Sequence, residues 1–258
     1  MMAFRRGFNM LTLKIIAFAG TVCLNLAWCG MIKLLPLQLA LSFIGASSLT
    51  LIAFAANEAV KKTSNLTKYL LRLLVLAAVC AFPYFTVYRD LSTAFRFSNY
   101  LSGPFAVFFI AGVFSVYDKL PYKWMKTGTV ILFVIVSAAL GIEYAPVSVI
   151  FALFIHCYDS EPQRKFRNFN IVFFSIVIAA VCAVMYFMKL EFFKGEELLK
   201  TATLSGAALS VPLINNYNGE NNSFTKPLAT AVAKYAFYFA YVALIGSLAL
   251  IKYFAVTH

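Results

Sequence analysis

Charged, acidic and histidine residues are scarce in this chain. Asp, Glu, Lys and Arg together make up 12 % of its 258 residues, only ten residues are acidic, and two are histidines. His156 is the only internal histidine, and a lone histidine without an HxxxH or HExxH spacing predicts no metal site. GxGxxG and P-loop motifs are missing as well, which argues against a nucleotide-binding fold.

Cysteine pairs are also missing. The five cysteines form no CxxC motif, and all of them lie within or at the edge of apolar runs. This pattern predicts neither a zinc site nor a disulfide framework. We interpret the cysteines as small buried hydrophobic residues.

Long apolar runs dominate the rest of the sequence, since 62 % of the residues are hydrophobic. A hydrocarbon core accepts about 20 apolar residues per helix, and continuous rather than alternating runs favour helices over a barrel. The sequence predicts an all-α, polytopic transmembrane bundle of eight or nine spans that forms one integral membrane domain over residues 1–258. The nine apolar segments are 11–32, 37–60, 69–88, 100–117, 130–142, 147–158, 171–188, 201–214 and 231–255.

Three of these segments are short for a full crossing. Residues 141–146 are predicted to join 130–142 and 147–158 as a tight hairpin. Segment 201–214 is the weakest, and it is compatible with an interfacial or a re-entrant helix.

The positive charge, +12 overall, lies between the apolar runs. We therefore expect contact with anionic lipid headgroups rather than with nucleic acid. With the N-terminus in the cytoplasm, fifteen of the 22 basic residues fall on the cytoplasmic side and seven on the other. The positive-inside rule favours this orientation, whereas the side of the C-terminus depends on whether there are eight or nine crossings.

Two ionisable residues are candidates for chemistry. Glu58 is the only acid within a strongly apolar segment, and it could hold a substrate amine or a proton. Alternatively, it pairs with Lys61, Lys62 or Arg72 at the interface, since Lys61 and Lys62 follow at i+3 and i+4. His156 could act as a lone general base, or it is a histidine at the headgroup level.

Small and neutral polar residues mark helix contacts. Asn25 lies at the centre of the first apolar segment, where its amide could bond a neighbouring helix. Segment 37–60 carries a run of small residues that predicts a tight helix interface, namely Ser42, Gly45, Ala46, Ser47, Ser48 and Thr50. The alternative is a polar cavity between the first two apolar segments.

Two runs, LKIIA at 13–17 and NLTKYLLRL at 65–73, resemble the TraX family, which consists of integral membrane proteins associated with N-acetylation of pilin subunits. Asn218-Gly219 predicts a turn, and Tyr217-Asn218-Gly219 is similar to a loop of that family. Further matching positions extend the resemblance over nearly the whole chain, and they include Lys14, Glu58, Asn65, Lys68, Tyr69, Arg72 and Pro83.

The departures from the TraX pattern fall on its ionisable positions. Leu24 and Asn25 stand where the family carries Asp-His, and GASSLT at 45–50 stands where it carries Gly-Arg-x-Ala-Phe-Pro. Residues 242–244, Val-Ala-Leu, replace a Pro-x-His motif. Acyl transfer to an amine needs a base and oxyanion donors, which leucine and alanine cannot supply.

The resemblance implies a bacterial inner-membrane protein of pilus or surface-protein biogenesis. We expect it to bind a pilin or another membrane-inserted partner without catalysis, with Asn25, Lys68 and Arg72 contacting the substrate. One alternative is an active acetyltransferase that uses acetyl-CoA, with Glu58 or His156 as the base. A second alternative is a small transporter subunit, although paired intramembrane charges that would mark an ion path are missing from the sequence.

Overall fold

The computed structural model describes residues 7–88, 103–140, 147–188, 195–220 and 227–257, and all regular secondary structure within these ranges is helical. Two 3-10 helices, Glu161–Gln163 and Thr203–Leu209, and one isolated β-bridge between Phe8 and Tyr217 complete the described elements. The helices are α1 (Met10–Trp28), α2 (Leu35–Lys62), α3 (Leu66–Tyr88), α4 (Gly103–Tyr117), α5 (Lys123–Ala139), α6 (Val147–Cys157), α7 (Arg164–Phe187), α8 (Gly195–Ala202), α9 (Ser210–Asn215) and α10 (Pro227–Thr257).

Local sequence sets where the first helices begin and end. The Asn9 side chain accepts a 2.8 Å hydrogen bond from the backbone N–H of Thr12 and caps α1. Gly30 follows α1 with φ of +80°, a left-handed conformation that glycine adopts without strain. Pro36 lies in the first turn of α2, where its missing N–H costs no helical hydrogen bond.

Five helical stretches in the described residues are long and apolar enough to cross a membrane. They are Met10–Trp28, Leu35–Lys62, Leu66–Tyr88, Glu161–Phe187 and Tyr235–Phe254. The helices α4 and α6 are apolar but shorter, and α5 has 17 residues. The predicted all-helical fold with membrane-length apolar helices is confirmed in the described residues, and the number of eight or nine spans stays a prediction. The hairpin predicted at 141–146 lies outside the described residues.

The outer surface of the bundle carries large apolar side chains. Phe82 on α3 is 81 % exposed and Ile176 on α7 is 60 % exposed. Leu71, Val75, Phe169 and Phe173 are exposed on the same two helices. Such continuous apolar surface is rare on soluble proteins, whereas lipid would cover it.

Hydrogen bonds and ion pairs define two ends of the bundle. At one end the backbone N–H of Met10 bonds the Glu220 carbonyl at 2.9 Å, and Lys62 bonds the Tyr217 hydroxyl at 3.2 Å. We call this the basic end because α2 terminates there with Lys61 and Lys62 and α3 begins there. The opposite end holds the start of α2.

The last helix runs parallel to α3. Near the basic end the Arg72 guanidinium lies 5.9 Å from the Tyr235 ring, and at the opposite end Lys252 donates a hydrogen bond to the Val87 carbonyl. The C-terminal part of α10 therefore lies at the end of the bundle away from the basic end.

The predicted tight interface is confirmed between α1 and α2. A Cβ on Gly45 would lie 2.7 Å from the backbone nitrogen of Leu24, and a Cβ on Gly20 would lie 3.0 Å from the Cβ of Ser48. All six small residues of the α2 run are buried. The helices approach so closely because these residues add almost no side-chain volume.

The weak segment 201–214 is broken rather than continuous. It comprises the end of α8, the 3-10 helix Thr203–Leu209 and most of α9, and Thr203, Gly206 and Ser210 are buried inside the bundle. Ser42 on α2 and Thr203 share a 2.6 Å hydroxyl hydrogen bond. The interfacial alternative is therefore wrong for the central part of this segment, because it is enclosed by protein.

Candidate functional site

A cavity of about 710 Å³ lies among α1, α2, α3, α4 and α10, with one residue of α6 also in its wall. Its size is that of a small-molecule site. Three of the five residues predicted to contact a substrate or act in catalysis line it, namely Glu58, Lys68 and Arg72. The cavity therefore brings the carboxylate of Glu58 on α2 and the two cations of α3 to one surface.

The part of the cavity toward the basic end is charged. Lys14, Lys62, Lys68 and Arg72 line it, and Glu58 is the only acid in its wall among the described residues. Glu58 Oε2 lies 2.7 Å from the Lys62 ammonium, which confirms one of the predicted interface pairs.

The connection between α2 and α3 positions the cations of α3. The Asn65 side chain accepts a 2.9 Å hydrogen bond from the backbone N–H of Lys68, as a helix N-cap does. Lys68 and Arg72 are four residues apart, so they lie on the same face of α3 and both line the cavity. The family-like run at 65–73 therefore forms the basic wall of the cavity.

The rest of the wall is mainly apolar. Phe18, Leu24, Ile52, Leu76, Val107 and Ile110 line it. Hydroxyl side chains interrupt this surface, among them Thr21, Ser48 and Ser148. The Ser148 hydroxyl is buried and has no hydrogen-bond partner in the described part of the chain, which leaves it able to bond a ligand.

The positions at which the family pattern carries ionisable groups do not converge on this cavity. Leu24 lines it, whereas Ala46 is fully buried between helices and Leu244 packs with Tyr84, Ile245 and their neighbours. Of Leu24, Ala46 and Leu244, only Leu24 lines the cavity.

Asn25 serves a helix contact instead. It is fully buried; its amide nitrogen donates a 2.8 Å bond to the Thr21 carbonyl, and its Oδ1 accepts a 2.5 Å bond from the Tyr88 hydroxyl of α3. The structure confirms the predicted bond to a neighbouring helix. It also places this amide outside the cavity wall.

His156 lies at the basic end in a separate cluster. Its Nδ1 is 2.7 Å from Asn57 Oδ1, its Nε2 is 2.8 Å from Asp118 Oδ1, and its ring stacks on Phe114 with centroids 4.4 Å apart. The side chain is only 6 % exposed. Because both ring nitrogens are engaged, the imidazole directs no nitrogen toward the cavity.

A second, polar pocket of about 200 Å³ lies beside Glu58, which lines both spaces. Arg167, which is 2 % exposed, lines this pocket and lies 3.8 Å from Asp159 and 3.3 Å from the Asn215 side chain. Asp159 also pairs with Lys61. This buried network is not evident from the sequence, because Arg164, Lys165 and Arg167 form a basic run that is typical of headgroup contact.

The Asn-Gly turn closes the second pocket. Gly219 has φ of +84°, and the Asn218 side chain accepts a 2.9 Å bond from the Glu220 N–H, which confirms the predicted turn. Burial raises the pKa of Tyr217, although the hydrogen bond from Lys62 partly offsets this effect. The neutral phenol therefore persists as an acceptor for Lys62.

No family model, curated protein or solved structure matches this chain. The described fold and cavity define a class: a helical protein with membrane-length apolar helices and a cavity between helices that is basic at one end and mainly apolar along the rest of its wall.

Proposed function

We propose that this chain is a TraX-like protein of the bacterial inner membrane that binds a membrane-inserted substrate without acetylating it. The observation that carries the proposal is the cavity of about 710 Å³ that collects Glu58, Lys68 and Arg72. The wall of this cavity is mainly apolar and is charged at one end. Such a wall suits a substrate that has an apolar segment in the membrane and a polar group near its surface. The proposed role is in pilus or surface-protein biogenesis, with a pilin or similar membrane-inserted protein as partner.

The geometry favours binding over acyl transfer. A leucine, Leu24, forms the wall where the family pattern carries an ionisable group. His156 is held by Asn57 and Asp118 outside the wall. Acyl transfer requires a base beside the reacting amine, and no histidine supplies one in the described wall of this cavity.

Site-specific photocrosslinking tests this function. A photoreactive side chain at Val107, in the cavity wall, should crosslink a co-expressed pilin subunit, whereas one at Val116, 39 % exposed on the same helix and outside the wall, should not. Equal crosslinking at both positions, or none at Val107, would contradict the proposal.

A second candidate is an acetyltransferase with Glu58 as the base and acetyl-CoA as the donor. The favouring observation is that Glu58 shares the cavity wall with four cations that could hold the phosphates of the donor.

Mass spectrometry of the co-expressed pilin tests the enzyme. A mass increase of one acetyl group that disappears with Glu58→Gln and persists with His156→Ala would establish Glu58 as the base. Unmodified pilin that crosslinks at Val107 supports the non-catalytic function instead.

We further propose that the helices cross the membrane eight or nine times, with the N-terminus and the basic end in the cytoplasm. The support is the concentration of basic residues at that end together with the positive-inside rule.

A further inference from the structure

We propose that the cavity binds one anionic amphiphile, with a phosphorylated headgroup at the basic end and one acyl chain along the apolar wall. This proposal rests on the proposed function in one respect, namely that the cavity is a binding site.

Charge complementarity selects an anionic headgroup. Among the described residues, four cations and one carboxylate line the cavity, so its formal charge is positive at this end. The cations are Lys14, Lys62, Lys68 and Arg72, and the carboxylate is Glu58. Lysine ammonium and arginine guanidinium groups are the usual protein donors to phosphate. A zwitterionic headgroup carries a cation of its own, which the positively charged wall would repel.

The dimensions fit one acyl chain in one leaflet. Lys14 and Leu24 line the cavity from the same helix, and at 1.5 Å per residue they are separated by about 15 Å along its axis. That is roughly half of a hydrocarbon core of about 30 Å. The chain would lie against Phe18, Ile52, Leu76, Val107 and Ile110.

An apolar wall of this length excludes free phosphate as the complete ligand. Inorganic phosphate would use the basic end and leave the rest of the cavity unfilled. Both a phospholipid and an acyl-coenzyme A satisfy the chemistry, because each combines phosphate charge with an acyl chain. The two sources differ in headgroup size and in water solubility, so a binding experiment separates them.

Native mass spectrometry of the full chain in detergent tests the proposal. The probes are phosphatidylglycerol, phosphatidylcholine with the same chains, palmitoyl-coenzyme A and inorganic phosphate. We expect one tightly bound phosphatidylglycerol or palmitoyl-coenzyme A, with phosphatidylcholine and inorganic phosphate bound more weakly by about tenfold or more. Tighter binding of phosphatidylglycerol would identify the ligand as a membrane lipid, and tighter binding of palmitoyl-coenzyme A would identify it as an acyl donor.

Two pairs of variants locate the site. Lys68→Ala/Arg72→Ala should weaken binding by about tenfold or more, whereas Lys119→Ala/Lys123→Ala, which removes two exposed cations outside the wall, should not. Val107→Trp should block the acyl chain, whereas Val116→Trp should leave binding unchanged. The melting temperature of each variant in detergent shows that it is folded.

Equal affinity for phosphatidylcholine and phosphatidylglycerol would overturn the proposal, as would equal losses in the variants and their controls. Pilin crosslinking at Val107 without any bound amphiphile would contradict the proposed ligand but support the proposed function. Bound amphiphile without pilin crosslinking would support the proposed ligand but contradict the proposed function.

Discussion

The buried amide of Asn25 links two helices through hydrogen bonds rather than through packing alone. Its Oδ1 accepts from the Tyr88 hydroxyl of α3 at 2.5 Å, while its nitrogen donates to the Thr21 carbonyl one turn earlier in α1. A neutral polar residue at the middle of an apolar helix already predicted such a bond from the sequence. The identity of the partner, 63 residues away, comes from the structure.

We predict that Asn25→Leu lowers the free energy of unfolding by about 0.6–1.7 kcal/mol, the range measured for side-chain hydrogen bonds between membrane helices. Tyr88→Phe should cost a similar amount, and the double variant should cost less than the sum of the two because both remove one shared bond. Unfolding in mixed micelles measures all three. Strictly additive losses would show that the bond contributes nothing.

Arg167 and His156 show how the surroundings of a residue decide its role. Arg167 belongs to a basic run typical of headgroup contact, yet it is 2 % exposed and lies over Phe54 with its guanidinium 5.9 Å from the ring. His156 stacks on Phe114 between Asn57 and Asp118. Both side chains hold helices together at the basic end.

At the scale of elements, the contact between α1 and α2 depends on glycine. The Leu24 backbone lies so near Gly45 that an added Cβ would approach its Cα to 2.9 Å. Gly112 on α4 provides a matched contrast, because nothing lies within 4 Å of a Cβ placed there.

We predict that Gly45→Ala destabilises the protein by about 1–3 kcal/mol, since the two backbones must separate to admit the methyl group. Gly112→Ala should leave stability unchanged or raise it by up to about 1 kcal/mol through helix propensity. Thermal unfolding in detergent measures both. A loss at Gly112 as large as at Gly45 would refute the close α1–α2 approach as the cause.

The broken segment between α8 and α9 illustrates an element that tertiary contacts create. Its central residues are buried against α2, where the Thr50 hydroxyl also bonds the Ala207 carbonyl at 3.3 Å. The Ala207 carbonyl also accepts from the backbone N–H of Ser210, so the Thr50 hydroxyl adds a bond from a neighbouring helix to the local one. Sequence hydropathy marked the segment as weak but could not indicate these partners.

At the scale of the whole molecule, the direction of α10 fixes where the chain ends. Contacts of Tyr235 with Arg72 and of Lys252 with Val87 make α10 parallel to α3. The end of α10 therefore lies at the end of the bundle away from the basic end. From the sequence, the side of the C-terminus depended on whether there are eight or nine crossings.

We predict that Lys123→Cys and Tyr253→Cys react with an impermeant maleimide from opposite sides of the membrane. Both positions are exposed, and the five native cysteines, which are buried or partly buried, give the background in the parent chain. Intact spheroplasts should label Tyr253→Cys, and inverted vesicles should label Lys123→Cys. Labelling of both from one side would contradict the proposed arrangement of passes.

The sequence by itself determined the helical class and the membrane-length helices, because length and hydropathy are local properties of a run. It also indicated the α1–α2 interface through small residues and the turn at 217–219 through Asn-Gly. Only the tertiary structure decided that Glu58, Lys68 and Arg72 share one cavity while Asn25 and His156 lie elsewhere. The physical reason is that the outward-facing and core-facing surfaces of these helices are almost equally apolar. The sequence therefore carries little information on which face each helix presents to its neighbours.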